Sequence, residues 1–214
     1  MYKVKGKPWA YSGAIDVSDC ATAKEVMLKA GLNFNVAKCE LVGKMPIKLT
    51  GTDEELDRII KEQKEGAHVF GTDIYRKCDN AFATYRTDYN IPLGVVKSKY
   101  TIVQNNDAFN FFDGAIGKNS AIWQTAGFWG NGERIFVSAK LPNNILVKGD
   151  PVENYLVFTN THDGSGGVKI LFTPIRVICQ NTLNAAIRTS SNYVSFRHTN
   201  SAVSYTHLRA HETG

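Results

Sequence analysis

Two hydrophobic periodicities share this 214-residue chain, one of period two and one near 3.6. The clearest alternation lies at residues 134–141. There Ile135, Val137, Ala139 and Leu141 are expected to face inward, and Arg134, Phe136, Ser138 and Lys140 outward. Residues 122–128 precede it, and Trp129-Gly130-Asn131-Gly132 between the two runs predicts a hairpin. A second hairpin is predicted from residues 155–159 and 168–172. In its loop, 161–167, Asp163-Gly164 and Gly166-Gly167 supply residues that tolerate positive φ. Pro174 has no N–H for a ladder and marks an edge, a bend or a strand start, after which 175–179 reads as a short β-like run. Upstream, residues 82–87 and 94–104 read as strands around the turn Tyr89-Asn90-Ile91-Pro92. Val96, Tyr100 and Ile102 fall on one face of the second, Lys97, Lys99 and Thr101 on the other. Residues 34–42, 44–49 and 193–196 are weaker β-like runs.

The helical stripes are fewer. Thr22-x-x-Glu25 matches a capping box ahead of Ala23, Val26, Met27 and Ala30, with Gly31 as the stop. Thr52-x-x-Glu55 repeats the signal ahead of Leu56, Ile59 and Ile60, on a helix whose other faces are charged and acid-rich. Asn105 or Asn106 is expected to cap a helix burying Ala108, Phe109, Phe112, Ala115 and Ile116. Asn181 or Thr182 is expected to cap another, with Leu183, Ala186 and Ile187 as its apolar face. The predicted fold is α+β: a curved, mostly antiparallel sheet built from hairpins, with helices packed on one face. Residues 1–202 form one domain in this reading.

Composition fits such a domain, with 43% hydrophobic and 21% charged residues. No run approaches the roughly 18 consecutive apolar residues of a membrane span. The N-terminus lacks a secretory h-region, so a cytoplasmic protein with no membrane partner is expected. Cys20, Cys39, Cys78 and Cys179 are scattered without a C-x-x-C pair, which argues against a zinc or disulfide framework. Neither a metal nor a cofactor is expected. The net charge of +5 is uneven: residues 1–93 carry fourteen Lys/Arg against thirteen Asp/Glu, and 94–202 carry ten against six. That surplus is compatible with a polyanionic partner without requiring one.

One group of segments has a family resemblance. His162-Asp163-Gly164-Ser165, followed by TPIRVICQNTLNAA at 173–186, looks like the signature of the phage/plasmid-like family called domain of unknown function 932. KPWAYSG at 7–13, AGLNFNV at 30–36, LGVVKSKYTIVQNNDAFNFFD at 93–113, TAGFWGNGERIFVSAKLP at 125–142 and FRHT at 196–199 fit the same pattern. A departure falls at the start, where Trp9-Ala10-Tyr11-Ser12-Gly13 replaces the family's Trp-x-Gly-Leu-Gly. The resemblance implies a mobile-element protein whose family has no assigned biochemical role. It also marks His162, Asp163, Gly164, Ser165, Arg176, Gln180, Asn181 and Thr182 as a structural motif. Residues 203–213, VSYTHLRAHET, resemble a translated sequencing adapter. They are expected to be an artefact tail, which removes His207 and His211 as a metal pair and implies a native C-terminal region cut short.

For chemistry, the chain has no G-x-S-x-G, H-E-x-x-H or Walker loop. His162-Asp163 with Ser165 nearby reads as turn chemistry ahead of an acid–base pair. Cys179 sits before a helix whose N-terminus can activate a thiol, though a buried structural cysteine is the plainer reading. Arg176, among Ile175, Val177 and Ile178, needs either a carboxylate such as Asp163 or a phosphate. Arg197 and His198 can join the same surface. The stripe of Arg134, Phe136 and Lys140, with Lys97 and Lys99 on a neighbouring strand, mixes cations with an aromatic ring as single-strand binders do. A non-enzymatic role in binding or annealing single-stranded DNA during phage or plasmid maintenance is therefore the leading expectation, with homo-oligomers allowed. Its rivals are a factor acting on host defence or replication proteins, and an enzyme using Cys179 or the His162-Asp163 turn.

Overall fold

The computed structural model describes residues 13–46, 52–65, 67–70, 73–117, 121–190 and 193–199. The lysine-rich arm before Gly13 and the adapter-like tail lie outside them. Among the described residues no helix is long and apolar enough to cross a membrane.

The main sheet is six-stranded and antiparallel throughout. In spatial order it runs β1 (Ala14–Asp16), β6 (Ile122–Trp129), β7 (Arg134–Lys140), β10 (Tyr155–Thr161), β11 (Val168–Thr173) and β12 (Tyr193–Phe196). The hairpin predicted at Trp129–Gly132 closes β6 onto β7 with Trp129 opposite Arg134, and Gly130 and Gly132 both take positive φ. A second sheet pairs β2 (Val36–Pro46), β4 (Asp73–Arg86) and β3 (His68–Phe70), with β5 (Ile91–Lys97) on β4. Strands β8 (Ile145–Val147) and β9 (Asp150–Val152) form a separate small ribbon. A mostly antiparallel α+β architecture thus stands.

Helices cover the main sheet on both faces, which corrects the one-face expectation. Strand alternation sends Ile135, Val137 and Ala139 of β7 into a core with Val26 and Met27 of α1 (Ala23–Lys29). Phe109 and Phe112 of α3 (Asn105–Gly117) join that core. Phe136 enters a second core with Tyr155, Val157, Leu171, and Leu183 and Ala186 of α4 (Gln180–Thr189). The physical reason lies in β10. Its seven residues, YLVFTNT, are buried at every position, and a strand buried on both faces carries no polar alternation.

The strand expected over 94–104 ends at Lys97, and the β-like run expected over 175–179 is not a strand. Residues 98–104 leave the ladder after Lys97, the last residue paired with β4, and the Gln104 carboxamide instead bonds the first residue of β2. Its Oε1 accepts from Val36 N at 3.0 Å, and its Nε2 donates to Val36 O at 2.8 Å. Residues 174–179 are irregular and lie over the Phe136 face, where the Thr125 hydroxyl donates to Val177 O. Helix α4 begins earlier than expected, with Cys179 as its N-cap. Thr182, at the third helical position, accepts from Ile178 N and Cys179 N at 2.9 and 3.0 Å. Helix α1 carries the capping box read at Thr22 and Glu25. Helix α2 (Asp53–Lys64) starts after Thr52 without a side-chain cap bond.

The sheets meet at the turn after β10. Gly94 of β5 lies so close to it that a Cβ there would sit 2.5 Å from Asp163 Cα and O. The Thr84 hydroxyl of β4 donates to His162 O at 2.7 Å. Arg86, 8% exposed, lies 3.9 Å over the Phe34 ring, and its Nη1 donates to Asn131 O at 2.9 Å.

Candidate nucleic-acid interface

Above this junction opens a cleft of about 520 Å³ lined by Lys38, Ser98, Lys99, Tyr100, Thr101, Ile102 and Thr199. Among the described residues, its lining has two lysines, one tyrosine, three Ser/Thr hydroxyls and no carboxylate. Lys38 extends from β2, and its Nζ donates to Ser98 O at 3.2 Å and Tyr100 O at 2.7 Å. Those bonds leave an ammonium at the cleft wall with one further donor direction. Lys99 is exposed on the turn after β5, where Tyr100 N donates to Lys97 O at 3.0 Å.

The floor is rigid. Tyr100 stacks on His198 with ring centroids 4.5 Å apart, and its hydroxyl donates to Thr161 O at 3.0 Å. Burial, with the Asp163 charge behind it, pushes the Tyr100 phenol well above its ordinary value, so it stays a neutral donor. Thr101 N donates to His198 O at 3.0 Å. Below, His162 is fully buried, with Nε2 2.8 Å from Asn105 Oδ1 and its ring edge-on to Phe34 at 6.1 Å. Burial pushes its pKa down to about 3, and burial also lowers that of His198. Both imidazoles are therefore neutral at ordinary pH.

The residues singled out in the sequence separate into groups. Lys97 and Lys99 are exposed at the end of β5, beside the cleft. Lys97 ends β5 of the second sheet and Lys99 lies on the turn after it, so neither is on a strand neighbouring β7. Arg134 and Lys140 lie at opposite ends of β7, about 20 Å apart at ~3.3 Å per residue. Lys140 is ion-paired with Glu153, whose carboxyl is held below the usual range by that bond first and by the Tyr155 hydroxyl second. Arg176 acts electrostatically on Glu153 and Tyr155. Phe136 is fully buried and stacked on Trp129 at 4.5 Å, so it presents no ring to a base. That is a correction: the face read as outward is covered by residues 174–187. Arg197 is exposed just after β12, next to His198.

The His162–Ser165 turn is structural in its bonding. Asp163 Oδ1 accepts from Ser165 N at 2.8 Å, and Gly164, at φ +79, fits under Val95 and Val96. Gln180 and Asn181 are exposed on the first turn of α4. Cys179 has its thiol pKa lowered, first by the Thr182 hydroxyl and then by its backbone N–H. Among the described residues no group of three or more His, Cys, Asp or Glu is placed to hold a metal ion. Lys38 was not singled out, because its role depends on the turn at 98–100, sixty residues away.

Tyr100, His162 and His198 thus draw KSKYTIVQN, HDGS and FRHT into one place. The family model for the domain of unknown function 932 matches residues 92–211. The chain belongs to that family. The match holds Lys97, Lys99, Tyr100, His162 and His198, and runs into the adapter-like segment. Lys38, Thr84 and Arg86 come from the part of the chain before the match. Among curated proteins and solved structures, nothing matches.

Proposed function

We propose that this protein of the domain of unknown function 932 family binds single-stranded DNA without catalysis, annealing or protecting strands during phage or plasmid maintenance. The observation that carries the reading is the cleft with Lys38 and Lys99 at its wall, Tyr100 in its floor and no carboxylate among its described lining residues. Ammonium groups and hydroxyls together suit a phosphate, and a strand leaving the cleft meets Lys97 and Arg197 at its rim. Arg134, Lys140 and Arg176 are not among the residues lining this cleft, and Lys140 is ion-paired with Glu153. The reading rests on charge, shape and the neutral aromatic floor.

The test is fluorescence anisotropy with a labelled single-stranded oligonucleotide over a series of salt concentrations. Affinity is expected to fall with salt, and Lys38→Gln with Lys99→Gln to lower the slope of log K against log[salt] by about 0.7 per contact removed. Arg134→Gln is expected to leave the slope unchanged. Absence of binding by the folded protein at low salt would sink the reading. A protein partner would then become the leading role, on the exposed Tyr193 and Val194 of the terminal strand β12.

A further inference from the structure

A second opening lies beside Phe34, whose ring packs against His162 and Arg86. It measures about 440 Å³ and is lined by Lys24, Met27, Leu28, Asn33, Phe34, Asn35, Asn106 and Asn110. Each wall follows from helical or extended spacing. Lys24, Met27 and Leu28 stand at i, i+3 and i+4 on α1; Asn106 and Asn110 stand at i and i+4 on α3. Asn33 and Asn35 come from the segment that enters β2. Met27 and Phe34 are 7% and 4% exposed and form an apolar floor, while Leu28, at 57%, stands up at the rim. All four asparagines are exposed.

We infer that this amide-lined opening is a nucleobase pocket, and that it gives the protein a preference among bases. Four exposed carboxamides present donor and acceptor side by side, which is the pattern a base edge requires and a bare phosphate does not. The apolar floor and Leu28 suit the flat face of a base, and Lys24 is the one charged residue in the described lining, placed for its sugar–phosphate. One stretch of chain joins the opening to the cationic cleft, Asn35 lining the first and Lys38 the second. Lys38 meets Ser98 and Tyr100, Val36 meets Gln104, and Asn105 Nδ2 donates to Leu32 O at 3.0 Å, so residues 32–38 run antiparallel to 98–105. Asn35 and Lys38 are about 10 Å apart along extended chain, within the reach of a short oligonucleotide. As a base site on a bound strand, the inference rests on the proposed DNA-binding function; as a nucleoside site it stands by itself.

The experiment separates the two. Uncharged nucleosides, which carry no phosphate for Lys38 or Lys99, are titrated at millimolar concentration against the protein labelled on asparagine side-chain amides for NMR. Shifts of the Asn106 and Asn110 amide resonances are expected, larger for one base than for the others, and lost for Asn33, Asn106 and the ligand in Asn110→Ala. With homopolymeric oligonucleotides, Asn106→Ala/Asn110→Ala is expected to weaken the preferred base about fivefold or more and to level the series without changing the salt slope. Nucleosides that move none of these resonances, or a base preference that survives the double substitution, would overturn the pocket. Nucleoside binding with no oligonucleotide binding would overturn the cationic cleft and leave the pocket standing.

Discussion

His162 is held neutral by its surroundings, and this has a measurable consequence at the scale of one residue. Burial is the main cause of its low pKa, with the nearby His198 adding to it and Asp163 opposing it. The folded state therefore binds fewer protons than the unfolded chain below the ordinary value of 6.5, and stability is lost as pH falls from there toward about 3. The loss approaches about 1.4 kcal/mol per pH unit from this group, with a smaller contribution of the same sign from His198. Urea denaturation between pH 7 and 4 is expected to show that slope, and His162→Gln to flatten it while keeping a partner for Asn105. An unchanged slope would mean that His162 protonates in the native fold. Phe136 makes a second residue-scale test. Phe136→Ala is expected to cost about 3–5 kcal/mol of stability, as for a buried ring, and to leave the salt dependence of DNA binding alone. Its burial was not legible because alternation separates two faces without saying which one meets solvent. The reverse holds for Lys38, an unremarkable residue of a weak run until the turn at Ser98–Tyr100 is brought beside it.

At the scale of elements, hairpins were legible wherever the turn carried its own chemistry. Trp129–Gly132 and Asp163–Gly167 did, and β6–β7 and β10–β11 close on them. Residues 98–104 were not legible, because the alternation of Val96, Tyr100 and Ile102 continues past Lys97, where the pairing with β4 ends. The start of α4 shows the same limit. Asn181 and Thr182 are good capping residues, yet Cys179 holds the cap because Thr182 reaches back to it from the third helical position. Thr182→Val keeps the shape and removes that hydroxyl. It is expected to cost about 1 kcal/mol and to raise the Cys179 thiol pKa toward its ordinary value of 9.0. The pH at which iodoacetamide alkylation is half-maximal is the measurement. A profile that does not move would assign the lowered pKa to backbone N–H groups alone.

For the whole molecule, the decisive contact is the one between sheets, since the cationic cleft, the amide-lined opening and the buried histidines all lie along it. It depends on Gly94. A methyl group there would sit 2.5 Å from the Asp163 backbone, and a backbone atom cannot swing aside as a side-chain tip can. Gly94→Ala therefore forces β5 and the His162–Ser165 turn apart, at an expected cost of about 1–3 kcal/mol. Gly43, in the same sheet but away from the junction, provides the control. Its added methyl would meet Cys78 Sγ at 3.5 Å, ordinary contact, so Gly43→Ala is expected to change stability by no more than about 0.5 kcal/mol. The functional reading adds a second expectation. Lys99 and Tyr100 hang directly from the end of β5, and Lys38 is tied to them through Ser98 O and Tyr100 O. Displacing β5 should disperse these groups, so Gly94→Ala is expected to weaken oligonucleotide binding under conditions where circular dichroism shows it still folded, and Gly43→Ala to leave binding intact. Lost stability with undiminished affinity would place the DNA-binding surface away from this junction.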